Sequence, residues 1–355
     1  MIVVNCRFLT QKITGSQRFA IEISKQLKKM NHDILFVAPK NIIHKDIAQE
    51  LNVKIIGNNT GHFWEQVDLP LYLRKIGNPL LVNLVNTAPL FYKNKVVTIH
   101  DLSWMHFPDY VSKKFYMYYL FLIPKIAKNS LHILTVSEFS KKDISNKLKI
   151  NDNKISVIYN AHNRNFKKIA LKKEYIVLSV VTLHPLKNIA RLIESFIILK
   201  KLGKIDNRYN LVIIGTENKK IFSGGKKLLE ICKGRDDIFF KGYVKDVSRL
   251  AEWYNKAKVF VFPSLFESFG IPPLEAMACG TPVIVSNAAS LPEVCGNAAY
   301  YVDPYDVEDI AKGIETVLKD DKLQKELIKK GLERVKMFSW EKSAKKLIEI
   351  IKEVS

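Results

Sequence analysis

The chain has 355 residues, of which 47% are hydrophobic and 26% charged, a balance that describes a globular protein and excludes a disordered one. At roughly 100–200 residues per domain, two domains are expected. The formal net charge of +21 admits nucleic acid, an anionic membrane surface or acidic small molecules as partners, although most of the basic residues are Lys, as AT-rich coding alone would favour.

The chain opens with the β-rich run Ile2-Val3-Val4, and a polar turn at Thr14-Gly15-Ser16 follows. Phe19, Ile23, Leu27 and Met30 then stand at helical spacing, before a buried strand at Ile34-Leu35-Phe36-Val37. Strand–helix–strand alternation implies a parallel sheet, and it continues through Pro79–Val82, Val96–Ile99 and Ile133–Val136. After a polar, basic stretch near Asn163–Lys173 a second series begins. Its strands are Ile176–Val180, Leu211–Ile214, Ile238–Phe240, Val259–Phe262 and Pro282–Val285, with a helix such as Ile189–Lys201 between them. The last helix follows Phe338-Ser339-Trp340 and ends near Val354, with Ala344, Leu347, Ile348 and Ile351 on its apolar face. These elements predict an α/β protein of two doubly wound domains, with a ligand cleft between them at the carboxyl ends of the strands.

No charged n-region followed by an apolar h-region opens the sequence, so no signal peptide is expected. No apolar run nears the ~20 residues that span a bilayer. Cys6, Cys232, Cys279 and Cys295 lack C-x-x-C spacing, so neither a zinc site nor a redox motif is read, and a reduced, cytosolic protein is the simplest account.

The most informative segment runs from Phe262 to Glu293. It reads as strand, loop, helix, turn, strand. Pro272 and Pro273 suit the opening of a helix, Gly280 suits its stop, and Gly270 lets backbone approach a ligand closely. The amides of the Ser268–Ile271 loop would favour an anion such as a diphosphate. Glu267 precedes that loop and Glu275 is expected in the first helical turn. Together they would line one pocket, where carboxylates accept charge-assisted hydrogen bonds from sugar or ribose hydroxyls. Taken singly, Glu275 would merely complement the helix dipole and Glu267 would be a solvated loop residue.

Glu267 and Glu275, with seven residues between them, resemble the E-x7-E motif of the family-four retaining glycosyltransferases. Ser290–Val294, Val302-Asp303-Pro304, Thr135–Ser140, Val157–Asn160 and Phe338-Ser339-Trp340 also look like family segments, so the resemblance covers nearly the whole chain. It implies the GT-B fold, two facing Rossmann-like domains, here 1–170 on the acceptor side and 171–337 binding the nucleotide sugar. A terminal helix, 338–355, would return to the first domain. It implies that Glu267 contacts donor-sugar hydroxyls, that backbone at Ser268, Phe269, Gly270 and Ile271 contacts the sugar and distal phosphate, and that Glu275 binds ribose.

His100 follows the Val96–Ile99 strand, and similar enzymes have a His there touching the donor sugar. By chemistry it would donate to a developing charge or hold a sugar hydroxyl, while Asp101 would orient loop backbone. Gly15 stands where similar enzymes approach the donor phosphates, a plain turn being the alternative. Arg18 nearby is a candidate phosphate or acceptor contact, or a helix-surface charge. Lys187, in Thr182–Asn188, is read as a phosphate ligand or else a surface lysine. Relatives often carry a second basic residue where this chain has Thr182 or Leu186.

No D-x-D triplet occurs, so the diphosphate is expected to be neutralised without metal, and no cofactor is expected. Neither G-x-S-x-G nor G-x-G-x-x-G appears in a position to suggest a serine nucleophile or a dinucleotide dehydrogenase. Residues 1–170 carry 25 Lys+Arg against 11 Asp+Glu, so +14 of the +21 lies there. Lys113–Lys125 is aromatic and apolar nearly all round, with lysines at its ends; it is either a buried helix or one lying on anionic lipid.

The expected function is therefore a retaining glycosyltransferase that moves a sugar, mannose from GDP-mannose, to a glycan or polyprenyl-diphosphate-linked acceptor in surface polysaccharide or lipopolysaccharide assembly. The expected location is cytoplasmic, peripheral on the inner face of the cytoplasmic membrane. The rivals are a GT-B phosphorylase or epimerase and a basic nucleic-acid-binding protein on an inactive GT-B scaffold, though no nucleic-acid motif occurs.

Overall fold

The computed structural model describes residues 1–30, 33–215, 232 and 234–354. The chain divides into two compact units. One comprises Met1–Asn160 and the C-terminal segment from Ser339; the other is Ala161–Phe338.

The first unit is built on a seven-stranded parallel sheet. Its strands are β1 (Ile2–Asn5), β2 (Ile34–Ala38), β3 (Lys54–Ile55), β4 (Leu80–Asn83), β5 (Lys95–Thr98), β6 (His132–Thr135) and β7 (Ile155–Val157). Their order is β3-β2-β1-β4-β5-β6-β7. Every residue of β4, β5 and β6 is buried, as expected where helices cover both faces of a parallel sheet. The polar turn expected at Thr14-Gly15-Ser16 is instead the start of the Gly15–Lys29 helix. The Gln17 side-chain carbonyl accepts from the Thr14 backbone N–H at 3.1 Å, which caps that start.

Among the described residues the second unit carries a six-stranded parallel sheet: β8 (Ile176–Val180), β9 (Asn210–Ile214), β10 (Ile238–Phe240), β11 (Val259–Phe262), β12 (Val283–Ser286) and β13 (Tyr300–Val302). The order is β10-β9-β8-β11-β12-β13. The order reverses between β1 and β4 in the first sheet and between β8 and β11 in the second. In doubly wound sheets, ligands bind at the carboxyl ends of the strands at this point.

The boundary between the units falls at Asn160/Ala161, not near residue 170. The polar stretch that follows is tied to the second unit. Asn255 donates to the Lys167 carbonyl at 3.0 Å and accepts from the Ile169 N–H at 2.9 Å, and Lys173 donates to the Ala257 carbonyl and the Thr281 hydroxyl, both at 2.9 Å.

The terminal helix Trp340–Val354 packs into the first unit through Leu347, Ile348 and Ile351. The Trp340 ring lies 6.2 Å from that of Phe19, and the Ser343 hydroxyl donates to the Tyr159 carbonyl at 2.6 Å. The Lys113–Asn129 helix is amphipathic, not buried all round. Leu122, Ile123, Ile126 and Ala127 enter the core, whereas Phe115, Met117, Leu120 and Phe121 are exposed.

Leu347 is fully buried, so Leu347→Ala removes packing that ties the terminal helix to the first unit. Such truncations cost about 2–5 kcal/mol, and urea unfolding should show a loss of that size.

Candidate active site

The loops after β8 and β11 leave adjacent strands at the switch point of the second sheet, and they carry Lys187 and Glu267. The structure brings these two residues together: the Lys187 ammonium is 2.6 Å from Glu267 Oε1. Neither is the freely solvated charge that a surface residue would be. The Lys187 side chain is 24% exposed and that of Glu267 11%.

Lys187 ends the short helical turn Pro185–Lys187. Asn188 follows in the left-handed region, with φ of 58°, and its side chain ties three strand-end loops together. Its amide donates to the Pro263 carbonyl at 3.0 Å and the Pro304 carbonyl at 2.6 Å, and the Leu265 N–H donates to the Leu186 carbonyl at 2.8 Å. Glu267 is held from the other side, where buried Ser290 donates its hydroxyl to the Glu267 carbonyl at 2.9 Å. Asn188 and Ser290 were part of the sequence strings without a role of their own. Their work is long-range, through backbone carbonyls that sequence does not display.

The Ser268–Ile271 segment leads into the helix Ile271–Ala278, so Ile271 is its first residue and not a loop residue. Pro272 and Pro273 have no N–H, which leaves Gly270 and Ile271 to supply the orphan amides of the helix start. Gly270 has φ of +92°, and a β-carbon there would stand 2.6 Å from Leu291 Cδ2. Phe269 is buried, with its ring edge-on to that of Phe338 at 5.4 Å, so its side chain is taken up by packing.

Glu275 lies in the second turn of that helix, not the first. It is 5% exposed, and its Oε2 accepts from the Tyr254 hydroxyl at 2.8 Å. A dipole-complementing surface carboxylate would be neither buried nor bonded in this way. Tyr254, fully buried, is a further residue that sequence reading missed.

In the first unit, His100 lies just beyond β5 and is 5% exposed. Its Nε2 is 3.0 Å from the Leu84 carbonyl, and its ring is edge-on to Phe19 at 5.1 Å. A carbonyl only accepts, so Nε2 carries the proton and Nδ1 the lone pair. Burial moves the imidazole below its ordinary value near 6.5, against the smaller opposing effects of the Leu84 carbonyl and Asp101. In that neutral form the ring presents Nδ1 as a hydrogen-bond acceptor. Asp101 accepts from the Ser103 N–H at 2.9 Å and hydroxyl at 2.6 Å, which fixes the loop. Gly15 is exposed at the helix start and Arg18 is partly exposed one turn later. Phe19 brings that helix against His100.

Residues 161–334 match the family described as glycosyl transferases group 1, and residues 13–166 match glycosyltransferase family 4. The chain is 31% identical to the O-antigen chain mannosyltransferase RfbU of Salmonella typhimurium, over 89% of this chain and 90% of that protein. It is 32% identical to O-antigen chain mannosyltransferase B of Escherichia coli, over 72% of this chain and 70% of that protein. The fold superimposes on that of Anabaena HepE, solved in complex with UDP, with a TM-score of 0.79 at 15% identity over 99% of both chains. These likenesses do not favour the nucleic-acid-binding alternative. The chain belongs to the family-four glycosyltransferases and is a glycosyltransferase of the GT-B fold, with a Rossmann-like parallel sheet in each of its two units.

Proposed function

We propose that this glycosyltransferase moves mannose from GDP-mannose, with retention of anomeric configuration, to a glycan or polyprenyl-diphosphate-linked acceptor in surface-polysaccharide or lipopolysaccharide assembly. The nature of the relatives supports the sugar and the process. The observation that carries the donor site is the Lys187–Glu267 pair at the second switch point. A donor diphosphate offers Lys187 a stronger anion than one carboxylate. Moving Lys187 onto phosphate releases Glu267 to accept from donor-sugar hydroxyls. The amides of Gly270 and Ile271 add donors to the phosphate at a helix start. Glu275, oriented by Tyr254, is the ribose contact.

In the transfer, the acceptor oxygen bonds to the anomeric carbon on the face the diphosphate leaves. The bond from that carbon to phosphate oxygen breaks, and the acceptor proton passes to the departing phosphate. Lys187 and the loop amides neutralise the charge that develops there, with no metal in the scheme.

The exposed aromatic face of the Lys113–Asn129 helix favours peripheral attachment to anionic lipid over a purely buried role. Phe121 is 55% exposed with the Lys125 ammonium 3.4 Å from its ring centre, and Lys113 and Lys114 stand exposed at the helix start. Among the described residues no helix is long and apolar enough to cross a membrane.

Hydrolysis of UDP-, GDP- and dTDP-sugars in EDTA tests the donor reading. GDP-mannose should turn over, and a need for added metal would overturn the metal-free scheme. Lys187→Ala should weaken GDP but not guanosine by about 1.5–3 kcal/mol, read by calorimetry. Glu267→Gln should lower turnover, and Glu275→Gln should lower nucleotide affinity.

His100 sets a pH dependence. Its folded pKa is depressed, so the stability it contributes is present above the unfolded value near 6.5 and is lost as pH falls through the folded value. His132, His162 and His184 are shifted the same way by burial. Thermal unfolding should therefore show a falling midpoint below pH 6.5, and His100→Asn should make that fall shallower.

Vesicle flotation tests attachment. Anionic vesicles should bind the protein and release it as salt rises, since each nearby basic residue contributes about 1 kcal/mol. Lys113→Glu with Lys114→Glu should reduce binding without unfolding. Equal binding to neutral and anionic vesicles would remove the membrane reading.

A further inference from the structure

The first sheet has its own switch point, between β1 and β4, and a second polar cluster sits there. Asn5 ends β1 and Asn83 ends β4. Their side chains meet, Asn5 Nδ2 donating to Asn83 Oδ1 at 2.9 Å and to Glu65 Oε1 at 3.0 Å. Arg7 Nε also donates to Glu65 Oε1, at 3.1 Å, and its Nη2 donates to the Thr87 hydroxyl at 2.6 Å. All five residues are nine-tenths buried or more. They line, with Gln11 and Leu84, a partly enclosed hollow with a volume of about 10 Å³. That is room for one water-sized group.

The cluster is not self-sufficient. Among the described residues, Glu65 Oε2 is buried and makes no hydrogen bond of ordinary geometry. The nearest group on that side is His62 Nδ1, 3.5 Å away, a long and weak contact that leaves the oxygen able to accept a shorter hydrogen bond. Glu65 remains a carboxylate all the same. Burial pushes its pKa up, but the Arg7 charge and the hydrogen bonds around it bring it below the ordinary carboxylate value. An ionised oxygen left unpaired in the interior is costly, and native proteins rarely leave one without a role.

Glu65 also stands on a stretch of π-helix, Trp64–Asp68, a form that is rare and frequent at functional sites. The stretch is locked from both sides. Trp64 donates to the Ile56 carbonyl at 2.7 Å, and Gln66 both donates to the Ala88 carbonyl at 2.9 Å and accepts from the Leu90 N–H at 2.8 Å. The hollow adjoins His100, whose Nε2 bonds to the carbonyl of its lining residue Leu84.

We propose that this hollow binds a hydroxyl or hydroxymethyl arm of a neutral sugar, the end of the acceptor glycan, with Glu65 Oε2 accepting from the hydroxyl and the Asn and Thr side chains around it fixing the orientation. The proposal rests on the glycosyltransferase reading for the word acceptor, but not for the sugar. The class follows from charge. Arg7 is already matched by Glu65, so no net positive charge is on offer to a phosphate or carboxylate. What is left over is a hydrogen-bond acceptor, which calls for a donor O–H. The size of the hollow admits the hydroxyl end of such an arm and leaves the rest of the sugar outside it.

The test uses the whole protein and a panel of methyl glycosides of mannose, glucose, galactose and rhamnose, with inorganic phosphate as the anionic control. At least one glycoside should bind at millimolar concentration and shift the side-chain amide resonances of Asn5 and Asn83, a readout that needs no variant. Glu65→Gln and Asn83→Ala should weaken that glycoside fivefold or more, with the melting temperature reporting that each variant is folded. Absence of binding by every glycoside, amide resonances that do not move, equal affinity in the folded variants, or displacement by phosphate would each overturn the proposal. GDP binding is measured in parallel. Its failure in the unaltered protein would overturn the donor reading and leave the glycoside result standing.

Discussion

In a parallel sheet, every strand delivers the chain to the same edge, and two neighbouring strands whose connections leave in opposite directions open a gap that no connection covers. The rest of the molecule depends on that constraint, met twice. Lys187 and Glu267 are 80 residues apart in sequence and 2.6 Å apart in space only because β8 and β11 are neighbours at such a point. Asn5 and Asn83 meet in the same way because β1 and β4 are neighbours. Asn188 and Ser290 then hold the second gap in shape through carbonyls of the surrounding loops.

The two ion pairs differ in what surrounds them, and the difference assigns them different work. Lys187 and Glu267 keep part of their surface in water, so a competing anion can reach Lys187 and the pair can be exchanged at modest cost. Arg7 and Glu65 are almost wholly buried, and Arg7 also bonds Thr87. Separating them would strand a charge in the interior, which costs several kcal/mol. The first pair is therefore a place where charge can be handed to a ligand. The second is a fixed frame in which Glu65 Oε2 keeps capacity to accept a hydrogen bond.

The central strands were legible in sequence because burial on both faces turns them into apolar runs. Ile176–Val180 and Val259–Phe262 are found at the bounds that the runs suggest. β3, β7 and β13 were not anticipated as strands. They are two or three residues long, and β3 is exposed throughout, so they carry too few side chains to show a period. In sequence the helix start at Thr14 reads equally as a turn, since its residues serve either purpose and only the Gln17 cap decides. Within the site, Lys187 and Glu267 were legible one by one, because each sits in a short string with its own pattern. Their pairing was not. Arg7 and Glu65 left no signal at all. They stand 58 residues apart, and Glu65 lies in a stretch that reads as an ordinary helix unless its π-helical geometry is known.

Charge across the sequence looks uniform in sign, but its local meaning changes from place to place. The first 170 residues, which include most of the first unit, hold +14 of the net +21, yet the polar cluster at the first unit's switch point is neutral within itself. The excess is therefore not spent on the ligand hollow. Part of it lies along the Lys113–Asn129 helix, where Lys113, Lys114, Lys125 and Lys128 are exposed beside Met117 and Phe121. Lysine stems can lie along an apolar surface while their ammonium groups stay in water. That face is the one the proposed vesicle experiment addresses. The basic character of this unit and the sugar chemistry of its interior are thus separate properties, and a single partner need not account for both.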